Sequence, residues 1–195
     1  MVSYNSGDFK NGLKVLIEGE PFSIVESEFN KPGKGQAFNK LKLKNLKNGR
    51  VLEKTVKIGA SLEAADVIIR EMQYLYSDGQ HWHFMDTESY EQLAIGGQII
   101  EEIKFWIVEE SVCSVTLWNN QAISVEPPNN IEVKITETEP GFRGDTAQGG
   151  VKPAVIETGA TIKVPLFIDQ GELIRVDTRT GEYLSRVNKQ CLTRN

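Results

Sequence analysis

Polar and apolar residues alternate along most of this 195-residue chain, and a turn signal interrupts the alternation about every ten residues. Leu13-Lys14-Val15-Leu16-Ile17 runs into the turn Glu18-Gly19-Glu20-Pro21. Phe38-Asn39-Lys40-Leu41-Lys42-Leu43-Lys44 alternates strictly and leads to Asn48-Gly49, a dipeptide suited to a tight hairpin, after which Val51–Ile58 returns. A period of two puts successive side chains on opposite faces, so runs like these bury one face as strands. Up to about Glu63 the chain reads as one curved module of about five strands. Lys40, Lys42 and Lys44 share one face of its alternating strand, and Phe38 precedes them there.

Two further modules follow. The second begins near Ala64–Ile69 and contains a hairpin, Met72–Tyr76 against His81–Met85, around the turn Ser77-Asp78-Gly79. A short helix is expected from Gln98 to Phe105, and a second hairpin joins Cys113–Trp118 to Gln121–Val125. Pro127-Pro128 closes the module as a stiff linker. The third has strands at Ile131–Thr136, Val155–Ile156, Thr161–Val164, Leu173–Asp177 and Tyr183–Val187, with a long loop punctuated by Gly141, Gly144, Gly149 and Gly150. Five short strands with a long loop suit a Greek-key barrel of the oligonucleotide-binding (OB) type, and the second module fits that description more loosely. The expectation is an all-β chain of three consecutive small β-barrels, at residues 1–64, 65–127 and 128–188, with residues 189–195 as a flexible tail.

Charge is unevenly shared. The net charge is −5, yet residues 1–64 carry +4, residues 65–127 carry −9 and residues 128–195 are neutral. A basic first third can face phosphate while the acidic middle avoids it or meets a basic surface. No apolar run approaches the roughly 20 residues that span a bilayer, and Met1-Val2-Ser3-Tyr4-Asn5 opens no secretory pattern. Two cysteines, Cys113 and Cys191, make no disulfide framework and fit a reducing compartment. These features point to a cytoplasmic protein with no membrane partner.

The sequence offers no catalytic constellation. There is no phosphate-binding glycine loop, because Gly35 is followed by Gln36 rather than by Lys and Ser or Thr. The pairs Glu101-Glu102 and Glu109-Glu110 put neighbouring carboxylates on diverging vectors, as a solvated acidic face does. His81-x-His83, with Asp78 or Asp86, is the sole spacing resembling a metal site, and imidazoles lining a hairpin surface are its plainer reading. The reading is therefore of a non-enzyme without cofactor or metal. What remains distinctive is Lys31-Pro32-Gly33-Lys34-Gly35, set between the strand-like runs Phe22–Glu26 and Gln36–Leu41. Pro32 presets φ, and the two glycines can adopt positive φ without steric cost, so Lys34 projects from a tight turn free of competing side chains.

These residues together resemble bacterial elongation factor P over essentially the whole chain. The loop Lys31-Pro32-Gly33-Lys34-Gly35-Gln36-Ala37-Phe38 looks like that family's tip loop. Tyr74-Leu75-Tyr76-x-Asp78-Gly79 with Phe84-Met85 is similar to its second-domain hairpin. Lys152-x-Ala154, Gly159, Ile162-x-Val164-Pro165, Ile168 and Gly171 match its third-domain signature, and Gly181-Glu182-Tyr183-x-Ser185-Arg186-Val187 its usual end. The chain departs from the family by continuing past Val187. The resemblance implies a KOW/SH3-like first barrel and two OB barrels in an L-shaped, tRNA-like arrangement. It also implies a monomeric factor that binds the 70S ribosome between the P and E sites. Such a factor positions P-site peptidyl-tRNA and rescues ribosomes stalled at consecutive prolines.

Site residues follow from the same resemblance. Lys34 is the functional tip, β-lysylated by a lysyl-tRNA-synthetase-like enzyme; related branches carry arginine or an unmodified lysine there. Lys31, Pro32, Gly33 and Gly35 form the tip loop. Lys31, Lys40, Lys42, Tyr183 and Arg186 are candidates for contact with tRNA or rRNA, the alternatives being solvation of the lysines and a role in the barrel itself for Tyr183 and Arg186. Gly144, Asp145 and Thr146 resemble the loop that approaches the E-site codon. The competing readings are an elongation-factor-P-like paralogue and a generic OB-fold RNA-binding protein, the latter needing a basic groove with stacking aromatics.

Overall fold

In a computed structural model of the chain, residues 2–33, 35–140 and 150–187 are described. Lys34, the loop residues Gly144, Asp145 and Thr146, and the tail lie outside them. The described chain is nearly all β. Its first part holds β1 (Ser3–Asn5), β2 (Lys14–Ile17), β3 (Glu20–Asn30), β4 (Phe38–Asn45), β5 (Val51–Lys57) and β6 (Ser61–Glu63). β2 to β5 form an antiparallel meander, while β1 pairs with β6 in a two-stranded ribbon. The alternation in β4 does what its pattern requires: Asn39, Leu41, Leu43 and Asn45 are buried and Lys40, Lys42 and Lys44 are exposed. Leu41 and Leu43 pack with Phe9, Val15, Ile17, Phe22, Ile24 and Val56 in one core.

The two buried asparagines in β4 are hydrogen-bonded, as buried amides must be. Asn39 Nδ2 donates to the Ser6 carbonyl at 2.5 Å. Asn45 Nδ2 donates to Glu20 Oε2 at 2.7 Å, and its Oδ1 accepts from the Lys47 and Asn48 amides, which closes the β4–β5 turn.

The middle sheet contains β7 (Val67–Ser77), β8 (His81–Asp86), β9 (Gln92–Gly96), β10 (Val112–Trp118) and β11 (Gln121–Glu126), in the order β11-β10-β7-β8-β9. β9 is an addition to the sequence expectation. The single helix expected from Gln98 to Phe105 is instead one α-turn, α1 (Gly97–Ile100), and a separate 3-10 turn over Lys104–Trp106. Tyr74 and Phe84 rings lie 5.4 Å apart in a tilted pair within this sheet. Cys113 is fully buried, and that burial pushes its thiol up to about 11. A thiol held that high carries little thiolate near neutral pH and is a poor nucleophile. The peptide containing Cys113 should thus escape iodoacetamide at pH 8 in the native protein and be labelled in urea. Labelling at equal rates in both would contradict its burial.

The last sheet contains β12 (Asn130–Thr138), β13 (Val151–Ile156), β14 (Thr161–Pro165), β15 (Leu173–Asp177) and β16 (Tyr183–Arg186), in the order β14-β13-β12-β15-β16. β13 starts four residues earlier than its pattern suggested (Val151 rather than Val155) and includes Pro153. Proline donates no ladder bond, yet its carbonyl still accepts a hydrogen bond, here from the Thr138 side-chain hydroxyl at 3.0 Å. Ile131, Val133, Ile135, Ile156, Ile162, Val164, Ile168, Ile174 and Val176 fill this core. By internal contact the chain divides into two compact units, Met1–Arg70 with Val115–Ser124, and Glu71–Ser114 with Val125–Asn195. Among the described residues no helix is long and apolar enough to cross a membrane.

Candidate nucleic-acid interface

The β3–β4 hairpin carries the tip. Its last register pair is Asn30 with Phe38, so residues 31–37 form the connecting loop. Lys31, Pro32, Gly33, Gly35 and Gln36 are exposed. Gly35 has φ of +132°, a conformation that side chains strain to adopt, and a Cβ there would sit 3.5 Å from Pro32 Cγ. Gly33 does not use the positive φ that the sequence allowed it. The loop's far side is tied down where the Ile58 amide donates to the Ala37 carbonyl at 3.3 Å. The hairpin therefore presents a glycine-bounded loop on a long, paired stem.

The lysine stripe on that stem is not bare. Strand register puts Glu26 of β3 and Glu53 of β5 on either side of Lys42, and Glu28 beside Lys40. Lys40 Nζ lies 2.9 Å from Glu53 Oε2. Glu53, and more weakly Glu28 and Glu26, hold the Lys40 amine above its ordinary value, while Lys40 holds the Glu53 carboxyl below its own. The five side chains line one shallow cleft of about 50 Å³. Three carboxylates thus surround the two amines that the sequence offered to RNA. No sequence signal short of the register reveals this, because Glu26, Glu28 and Glu53 lie far from the lysines along the chain. Counting outward from a two-residue Asn48-Gly49 turn would set Glu53 opposite Lys44, whereas the register sets it opposite Lys42.

The third-module candidates are also engaged. Tyr183, partly buried, packs against the core of the last sheet, as Trp106 and Val108 also do. Arg186 forms an ion pair with Glu172, whose other carboxylate oxygen is buried without a partner among the described residues. Both side chains therefore have a role in the barrel. Lys31 is exposed on the loop.

His81 and His83 are organised around Asp78 at the β7–β8 turn. Asp78 Oδ2 lies 3.0 Å from His83 Nε2 and 3.9 Å from His81 Nδ1, and Oδ1 accepts the Gln80 and His81 amides. Tyr76 stacks on the His83 ring at 4.5 Å. Among the described residues no group of three or more His, Cys, Asp or Glu side chains is arranged to hold a metal. The cluster builds a turn. His83 above all, then the two backbone amides, holds the Asp78 carboxyl well below its ordinary 3.8. A depressed carboxyl adds stability above its unfolded-state value and loses it as pH falls toward the folded one. Asp78→Asn should lower the melting temperature slightly at pH 7, and the deficit should shrink as pH drops below about 4. A deficit constant from pH 7 to pH 2 would remove the charge from the explanation.

Comparison with known proteins agrees with this architecture. Three family models match in order along the chain: the elongation factor P (EF-P) KOW-like domain at residues 5–62, the elongation factor P (EF-P) OB domain at residues 67–125, and elongation factor P, C-terminal, at residues 131–186. The fold is similar to that of eukaryotic translation initiation factor 5A from Methanococcus jannaschii, with 24% identity, TM-score 0.51, 65% of this chain covered and 92% of that one. It is likewise similar to a translation initiation factor eif-5a family protein from Naegleria fowleri ATCC 30863, with 19% identity, TM-score 0.51, 64% of this chain covered and 97% of that one. With a KOW-like model on the hairpin-bearing module and two more family models completing the series, the chain belongs to the elongation factor P family.

Proposed function

We propose that this translation elongation factor binds the ribosome between the P and E tRNA sites and uses Lys34 to position peptidyl-tRNA at runs of proline. The observation that supports this most is the glycine-bounded loop on the β3–β4 stem, within the stretch that the KOW-like model matches. Proline is a conformationally restricted nucleophile, so its slow addition is a failure of geometry. Correcting geometry is an entropic task that needs a rigid support and little chemistry. A cation with several donors at the tip suits the phosphates and 2′-hydroxyls of a tRNA acceptor end.

A bare lysine reaches only roughly 6 Å from its Cα. That short reach favours extension of Lys34 by β-lysine, added to its ε-amine by a lysyl-tRNA-synthetase-like enzyme. Two measurements test the proposal. In a reconstituted translation system, the protein should relieve arrest at a Pro-Pro-Pro motif, and equal synthesis with and without it would refute the function. Mass spectrometry of the native Lys34 peptide should show a lysyl increment. An unmodified peptide from fully active protein would refute the modification alone.

A further inference from the structure

A single row across the outer face of the first sheet differs from those nearer the tip. Lys14 of β2 pairs in register with Ser23 of β3, and Ser23 pairs with Lys44 of β4. Directly opposed residues in a sheet share a face, so the three side chains stand side by side. Lys14 Nζ donates to Ser23 Oγ at 3.0 Å. The hydroxyl, having accepted that bond, keeps its own proton free to donate. The two lysine Cα atoms are about 10 Å apart, two strand spacings, and each side chain reaches about 6 Å, so both amines can converge above Ser23. Among the described residues neither amine has a carboxylate partner. Partial burial, followed by the Lys44 charge, pulls the Lys14 amine below its ordinary value. Lys40 and Lys42, two rows or fewer further on, stand among Glu26, Glu28 and Glu53.

We propose that Lys14, Ser23 and Lys44 form a phosphodiester-binding site for an RNA backbone, and that the carboxylate-flanked Lys40 and Lys42 are not the principal phosphate contacts of this face. One phosphate over Ser23 accepts from both ammonium groups and from the hydroxyl. It replaces like-charge repulsion with two charge-assisted bonds. At Lys40 a phosphate must first displace Glu53 and then sit beside the remaining carboxylates. Choice of an RNA backbone, rather than a free anion, rests on the ribosomal role proposed above; the site itself does not.

The test has two arms, both on the full chain. In the first, amide chemical shifts are followed by NMR during separate titrations with a short RNA hairpin and with inorganic phosphate. RNA should perturb Lys14, Ser23 and Lys44 more than Lys40 and Lys42. The double variant Lys14→Gln/Lys44→Gln should weaken RNA binding at least tenfold and flatten its salt dependence by about one counterion. Lys40→Gln/Lys42→Gln should change affinity less than threefold. Larger shifts or larger losses at Lys40 and Lys42, or no response at the Lys14 row, overturn the site. Saturation by inorganic phosphate with no response to RNA overturns the phosphodiester assignment. In the second arm, the same variants are pelleted with 70S ribosomes carrying P-site tRNA, where the Lys14/Lys44 variant should again lose more. Wild-type protein that passes the first arm but does not pellet would overturn the ribosomal function and leave the site standing.

Discussion

Lys34→Ala is expected to remove polyproline rescue while leaving the melting temperature within about a degree of wild type. The expectation follows from how the tip is held. The stem beneath it is paired from Phe22–Asn45 to Asn30–Phe38, and the Ala37 carbonyl is tied to Ile58, so the loop's support does not depend on Lys34. Surface substitutions away from caps and cores usually move stability by no more than about 0.5 kcal/mol. Function is different, because positioning effects are steep: a misplacement of about 1 Å can cost about a hundredfold in rate. The check is a dipeptide-to-tripeptide rate on Pro-Pro-Pro templates beside a thermal melt. A variant that melts normally and translates prolines at the wild-type rate would transfer the role to another part of the loop. Lys34→Arg adds information, since it keeps a cation and removes the amine that an acyl group could join.

The second large effect is on stability. Leu41→Ala should destabilise the first barrel by about 3 kcal/mol, within the usual ~2–5 kcal/mol for a buried leucine. Leu41 has no exposed surface and lies in the core opposite the lysine face. The loss has two sources, the transfer of removed methyl groups and the unfilled cavity they leave. Its neighbour Lys42→Ala, one residue along the same strand but on the outer face, should cost under about 0.5 kcal/mol. Urea unfolding of both variants checks the contrast, read on the transition that carries the first barrel. Equal losses would mean that the strand's two faces are not distinguished as described.

Much of the fold was legible in the chain because period-two patterning carries it. β4 could be placed from sequence almost to the residue, and the turn at Asn48-Gly49 and the one joining Cys113–Trp118 to Gln121–Val125 lie where the sequence suggested. β9 was harder, since Gln92-Leu93-Ala94-Ile95-Gly96 is short, lacks β-branched residues apart from Ile95 and runs directly into a helical turn. The early start of β13 was hidden by Pro153, a residue that normally argues against a paired strand. For the interface, sequence could identify the loop and the lysines but not their electrostatic surroundings. Whether Lys40 faces solvent or Glu53 depends on register, which is a property of pairs of strands. Ser23 illustrates the same limit, because nothing local in Phe22-Ser23-Ile24 indicates that a lysine stands on each side of it.

The 3-10 turn over Lys104–Trp106 has a consequence for how the second unit comes apart. A Cβ on Gly181 would lie 3.2 Å from the Trp106 ring, the Thr158 hydroxyl donates to the Phe105 carbonyl, and Trp106 packs against the core of the last sheet. Its indole therefore acts as a rivet, driven from one sequence module into the next. Protease cleavage at the Pro127-Pro128 linker would sever the polypeptide there and still leave the two pieces clasped. Tryptophan emission, rather than chain length on a gel, is then the observable that reports their separation.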